Sequence, residues 1–212
     1  MKKTKDLIDI VDQNTMQNTK HIMCDIETLG TAPGAVIFEI AAAEFDMETG
    51  EIFRFFAENV SIRDAQAQGL HIEMATVAWW NQRGGLPNST NSTNLVGIVE
   101  ALDMFAFWLK DVDPTTTLWG WGGNFDFTLL EAAFRICKKV QGYPWKYSQI
   151  SDARTVWKLA FGDRLHAERS HTAIEDVGEQ IVDLIAAIRE LKASGKCGVS
   201  SDQGEKMEGG EA

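Results

Sequence analysis

Asp25 and Glu27 stand two residues apart near the end of an apolar run, Ile22-Met23-Cys24-Asp25-Ile26-Glu27, which breaks at Gly30, Pro33 and Gly34. Successive strand residues point to opposite faces, so these two carboxylates share one. Two acids on one face repel each other, and a hard cation that takes oxygen ligands, Mg²⁺ or Mn²⁺, is the natural group to sit between them. A strand running out into a solvated acidic turn is the alternative without chemistry.

Two more places offer similar groups. Asn124-Phe125-Asp126 follows Gly122-Gly123, directly after a β-branched and aromatic run, Thr115 to Trp121. Asp126 therefore lies where a strand hands over to a helix, the edge at which open α/β sheets bind ligands. Capping of that helix by Asn124 or Asp126 is the competing reading. Further on, Thr172 and Glu175 form a Thr-x-x-Glu capping box ahead of an apolar helical run. The box puts His171 on the incoming loop and Asp176 one turn inside the helix. A surface histidine beside an acid-rich helix start has the same pattern. Taken together, the three segments supply four carboxylates and one histidine. Two hard metals about 4 Å apart would neutralise those acids and clamp the attacking and leaving oxygens of a phosphoryl displacement. Imidazole exchanges protons near neutral pH, so His171 is the group to take one from an attacking water.

The elements that must position these groups follow from periodicity. After the opening strand, residues 35–45 and 52–57 read as an antiparallel hairpin around a turn at Met47-Glu48-Thr49-Gly50. Residues 61–94 read as an irregular loop containing Trp79 and Trp80. One of those indoles could stack on a base, and packing the loop onto the sheet is the alternative. Apolar residues at Ile98, Val99, Leu102, Phe105, Ala106 and Leu109 have helical spacing, and Asp113-Pro114 stops that helix. The strand at 115–121 precedes a helix with Phe127, Leu130, Ala133, Phe134 and Cys137 on one face. Residues 150–159 carry a weak signal for a short strand or helix. Arg154 there is a candidate phosphate contact or a surface ion-pair partner. The last helix shows Ile174, Val177, Ile181, Leu184, Ile185, Ile188 and Leu191 at spacings of three and four. Strands early and helices late give a mixed α/β sheet flanked by helices. One domain is expected over residues 19–193. Residues 1–18 are a flexible tail or short docking helix, and 194–212 a disordered tail rich in Gly, Ser and charge.

Composition narrows the function classes. The 212 residues are 44% hydrophobic, enough to bury a sizeable core. A net charge of −11 disfavours a protein that coats nucleic acid through Lys and Arg. It leaves room for an enzyme that grips a few nucleotides beside bound metal. Cys24, Cys137 and Cys197 form no CxxC pair, which argues against zinc or a disulfide framework and for a reducing compartment. No run of about 18 apolar residues is present, and Asp6, Asp9 and Asp12 interrupt any leader-like run. A cytoplasmic location with no membrane partner is the expectation. The Asn88 and Asn91 triplets then read as a polar loop. His21, His71 and His166 have no motif context.

The order Asp-x-Glu, Phe-Asp, His-x4-Asp resembles the DEDDh exonucleases, the family of the proofreading subunits of bacterial replicases. Asp25-Ile-Glu27-Thr28-Leu29-Gly30 is similar to its first motif, Phe125-Asp126 to its second and His171-Thr-Ala-Ile-Glu-Asp176 to its third. Val36 to Ala42 resembles its second strand. Thr76-Val-Ala-Trp79-Trp80-Asn81-Gln82 resembles phage DexA-like exonucleases and a bacterial exoribonuclease-type domain. The similarity spans roughly residues 20–192. It implies an RNase H-like fold, a mixed five-stranded sheet flanked by helices. It also implies that Asp25, Glu27, Asp126 and Asp176 hold two Mg²⁺ or Mn²⁺ ions, with His171 as general base. The reaction would shorten single-stranded DNA or RNA from the 3′ end and release nucleoside 5′-monophosphates. In the resemblance Leu29 wedges against the terminal bases and the Thr28 backbone binds the 3′-hydroxyl; Trp80, as a stacking indole, and Asn124, beside the second motif, are the further candidate substrate contacts. Gly123 stands where many members carry Asn, which puts the contact at Asn124 in doubt. The rivals are an aspartyl-phosphate phosphatase with Asp25 as nucleophile, and a nucleic-acid-binding or partner-docking domain of the same fold without turnover.

Overall fold

A computed structural model describes residues 20–87, 90, 93–138, 142–162 and 169–195. The expected N-terminal segment and nearly all of the expected C-terminal tail lie outside the described residues, as does His166.

Five strands form one sheet: β1 (Lys20–Thr28), β2 (Ile37–Asp46), β3 (Ile52–Asn59), β4 (Thr117–Gly120) and β5 (Ile150–Asp152). Their spatial order is β3-β2-β1-β4-β5. The first three run antiparallel, and β4 and β5 lie parallel to β1. The fold is thus the mixed five-stranded α/β sheet of the RNase H-like class. Asp46 sets the β2–β3 hairpin, its Oδ1 accepting the N–H groups of Glu48 and Thr49 at 2.8 Å each.

Among the described residues, six α-helices flank the sheet: α1 (Ile62–Ala67), α2 (Met74–Gln82), α3 (Ile98–Leu109), α4 (Gly123–Cys137), α5 (Ala153–Phe161) and α6 (Ala173–Ala193). Both faces of the central strands are covered, so β1 reads as an almost unbroken apolar run. Ile22, Cys24 and Ile26 point into the larger core, with Phe38, Ile40, Leu102 and Leu130. Met23 points the other way, with Ala41, Phe45, Val177 and Leu184, beneath α6. By that alternation Asp25 and Glu27 belong to the α6 face.

The stretch 61–94 is not the irregular loop its sequence suggests, since α1 and α2 lie within it. The signal for α2 is hidden by its cap. Glu73 occupies the N-cap position without bonding its own helix. Its carboxylate instead accepts the N–H groups of Thr31 and Ala32, at 3.0 Å each, across the loop after β1. The weak signal at 150–159 resolves into β5 followed by α5. Cys24 and Cys137 are buried and free. No helix among the described residues is long and apolar enough to cross a membrane.

Candidate active site

The parallel pairing of β1 with β4 brings the ends of both strands to one edge of the sheet, and α6 crosses it from the next layer. Asp25, Glu27, Asp126, His171 and Asp176 line one cavity there, of about 330 Å³. Asp25 Oδ1 accepts the side-chain N–H of Gln180 at 2.7 Å, which ties β1 to the second turn of α6. Glu27 lies opposite Glu39 of β2. Asp126 is not a helix cap: Gly122, at φ 119°, holds that position. Asp126 turns inward from the first turn of α4, where its own N–H and that of Ile26 bond its carboxylate. Asp176 Oδ1 accepts the Ser170 hydroxyl at 3.0 Å.

His171 sits on the incoming loop with φ 55°, a left-handed backbone that non-glycine residues rarely adopt. Its ring meets Trp79 edge to face at a centroid distance of 4.9 Å, and Trp80 at 6.0 Å. The capping box does not form. Thr172 is the N-cap of α6, but its hydroxyl makes no cap bond. Glu39 takes the role from the neighbouring strand, its Oε2 accepting the Ala173 N–H at 2.9 Å. A carboxylate at that end also suits the helix dipole.

Burial and mutual repulsion hold these acids toward their protonated forms. The Asp25 carboxyl is pushed well above its usual range, first by burial and then by Asp126 and Glu27. Glu27 is pushed up to about 9 by burial, Asp176, Glu39 and Asp126. Asp126 rises to about 7 through burial, against the bonds from backbone N–H groups. Burial raises Asp176 as well, opposed by Ser170, Arg169 and His171. One donor atom each from Glu27, His171 and Asp176 lie within 4.8 Å of one another. Four buried carboxylates that strain against their own charges fit hard divalent cations, whose ligands are oxygens.

The expected substrate contacts divide. Thr28 lines a second cavity of about 380 Å³, between the end of β1 and α2, together with Ile26, Ala75, Thr76, Trp79 and Phe125. Trp80 borders it too, but the residue is buried and its indole N–H donates to the Thr28 carbonyl at 3.0 Å. It braces the strand end and offers little ring face for stacking. Leu29 does not project as a wedge: it is buried in the core, because Val36 and Glu73 bond its backbone on either side. Asn124 lies in the first turn of α4, and its side chain is outside the described residues. Arg154 lines the same cavity as the four acids and donates to the Trp121 carbonyl at 2.6 Å.

Sequence reasoning missed Gln180, Glu39 and Arg83. Gln180 was the most accessible of these, as a polar residue four after Asp176 on the apolar stripe of α6. Arg83 follows α2, whose existence was missed.

A family model for the Rv2179c-like 3′-5′ exoribonuclease domain matches residues 20–188. No curated protein sequence matches the chain. Among solved structures, cell-death related nuclease 4 is similar at 12% identity and a TM-score of 0.52, over 84% of this chain and 64% of that one. Exonuclease I is similar at 14% identity and a TM-score of 0.57, over 83% of this chain and 41% of its own. The nuclease domain of 3′hExo, a DEDDh family member bound to rAMP, is similar at 11% identity and a TM-score of 0.57, over 82% and 94%. The chain thus spans less than two thirds of the first two proteins, and these likenesses show a shared fold.

Proposed function

Because the chain belongs to the Rv2179c-like 3′-5′ exoribonuclease domain family, we propose that it is a metal-dependent 3′→5′ exonuclease acting on single-stranded nucleic acid. The family's description favours RNA over DNA. The observation that carries this reading is the meeting of Asp25, Glu27, Asp126, Asp176 and His171 around one cavity.

Asp25, Glu27, Asp126 and Asp176 would hold two Mg²⁺ or Mn²⁺ ions. Bound there, such ions would supply positive charge to the scissile phosphate and to the oxygens that attack and leave. The chain's own residues do the rest. Gln180 fixes the direction of Asp25, and Ser170 that of Asp176, so neither acid has to be ordered when substrate arrives. His171 is half-buried and its ring stands against Trp79, which leaves a ring nitrogen to take the proton of the attacking water. The apolar cavity beside Thr28 receives the terminal base, with the Thr28 backbone at the 3′-hydroxyl. The product is a nucleoside 5′-monophosphate.

A gel assay on 5′-labelled single-stranded RNA and DNA of one sequence tests this, with Mg²⁺, Mn²⁺ or chelator. The expected result is a metal-dependent ladder shortening from the 3′ end, absent in Asp25→Ala. Intact substrate in both metals, from folded protein, would leave a binding domain without turnover.

A further inference from the structure

Among the described residues, three arginines line the catalytic cavity: Arg83, Arg154 and Arg169. Two are held by the protein itself. Arg154 donates to the Trp121 carbonyl. The side chain of Arg169 is almost completely buried, pairs with Asp183 at 2.7 Å and Glu179 at 3.5 Å, and lies over the Trp121 ring. Arg83 is different. It is exposed and makes no ion pair among the described residues. Its guanidinium lies 3.8 Å from the centroid of the Trp79 ring. A guanidinium stacked by its face keeps its in-plane N–H donors free.

Arg83 also stands at a junction. A groove of about 910 Å³ is lined by Gln82, Arg83, Leu86, Arg169, His171 and Thr172, with neighbours from the same two segments. Arg83, Arg169 and His171 line both this groove and the catalytic cavity, so one opens into the other. Gly84 and Gly85 form the near wall at φ 95° and 101°, with open space where a Cβ would stand. The other cavity next to the acids, beside Thr28, accommodates the terminal nucleotide under the proposed function. A strand cut at its last phosphodiester must leave by another route, and it carries phosphates past an acidic chain.

We propose that the groove is the track of the remaining strand, and that Arg83, held against Trp79, binds the phosphate immediately 5′ of the scissile one. The ligand is a single-stranded polynucleotide longer than two nucleotides, recognised by its backbone charge. This rests on the exonuclease reading for the identity of the scissile group. Trp79 serves both neighbours: its face carries Arg83 and its ring packs edge to face with His171. A bound second phosphate thereby fixes the side of the cavity on which the base stands.

The test compares a dinucleotide, which has only the scissile phosphodiester, with a trinucleotide, which adds one more. Wild-type protein should process the trinucleotide at the higher kcat/KM. Arg83→Ala should lower kcat/KM for the trinucleotide roughly tenfold, through KM, and erase the preference. Arg83→Lys should recover part of it, having the charge without the planar fork. A loss of equal size on both substrates, or no loss on either, would overturn the assignment. A separate measurement does not need turnover: binding of labelled single-stranded RNA with Ca²⁺ across a salt series. Arg83→Ala should reduce the log–log salt slope by about 0.7, the share of one phosphate contact on a single strand. An unchanged slope would also overturn it. Binding with that slope change but no cleavage by wild type would retain Arg83 as a phosphate contact and remove the exonuclease reading instead.

Discussion

Four carboxylates make the floor of the cavity, and none of them forms an ion pair among the described residues. At the rim, Arg169 is neutralised by Asp183 and Glu179, Arg83 rests on Trp79, and His171 packs against the same indole. Each rim group has a seat on the protein, while the in-plane donors of Arg83 stay open. The floor acids have no ion-pair partner among the described residues, and burial and mutual repulsion hold their carboxyls toward the protonated form. Unpaired buried charge is tolerated in a fold where another group completes it, and here the donors ask for cations. The contrast separates two kinds of group: acids on the floor whose chemistry suits cations, and rim side chains positioned by packing against one another.

The largest test of that contrast is Asp126→Asn. It should bring hydrolysis down to background while raising the metal-free melting temperature, since it removes one of the repelling charges. A gain of about 1 kcal/mol would show as roughly 2–4 °C in a chain of this size. Loss of activity with a lower melting temperature would place Asp126 among the ordinary structural acids. His171→Ala is next. It should cost roughly 10²–10⁴-fold in kcat and leave Mn²⁺ affinity nearly intact by calorimetry. A large loss of affinity would move His171 from the rim to the floor, as a ligand beside Glu27 and Asp176.

The smallest effect is on stability as pH changes. An acid with a raised folded-state pKa keeps its proton longer in the folded chain than in the unfolded one. The stability this gives is complete below the unfolded value and lost as pH rises through the folded value. For Asp126 that window runs from 3.8 to about 7, and for Glu27 from 4.5 to about 9. Metal-free protein should therefore melt at progressively lower temperature from pH about 5 to about 9. Saturating Mg²⁺ should flatten the upper half of that slope, because cations replace protons on the floor. Parallel slopes with and without Mg²⁺ would mean that the floor binds no metal.

Most of the floor was legible because each acid sits where a pattern changes. Asp25 and Glu27 share parity at the end of an apolar strand, Asp126 follows a Gly-Gly break, and Asp176 follows a helix start. Such changes are local, and a single sequence displays them. The rim was mostly hidden. Met74 to Gln82 is apolar on nearly every side and has no local cap, so its period is faint and Trp79 and Arg83 had no element to belong to. Glu39 was hidden for another reason. It caps a helix 134 residues away in the chain, and no window of sequence contains both partners. The Thr-x-x-Glu pattern located the start of α6 correctly and misattributed the group that seals it.

The bond from Gln180 to Asp25 joins residues 155 apart, and the one from Glu39 to Ala173 is nearly as long in span. Contacts so distant along the chain form late, after the loops between them have closed. On a ribosome, a nascent chain that has emerged only as far as α5 has Asp25, Glu27 and Asp126 but lacks both His171 and Asp176. Docking of the final helix is therefore the event that completes the site, so the cavity gathers its full set of acids only when synthesis of the domain is nearly over.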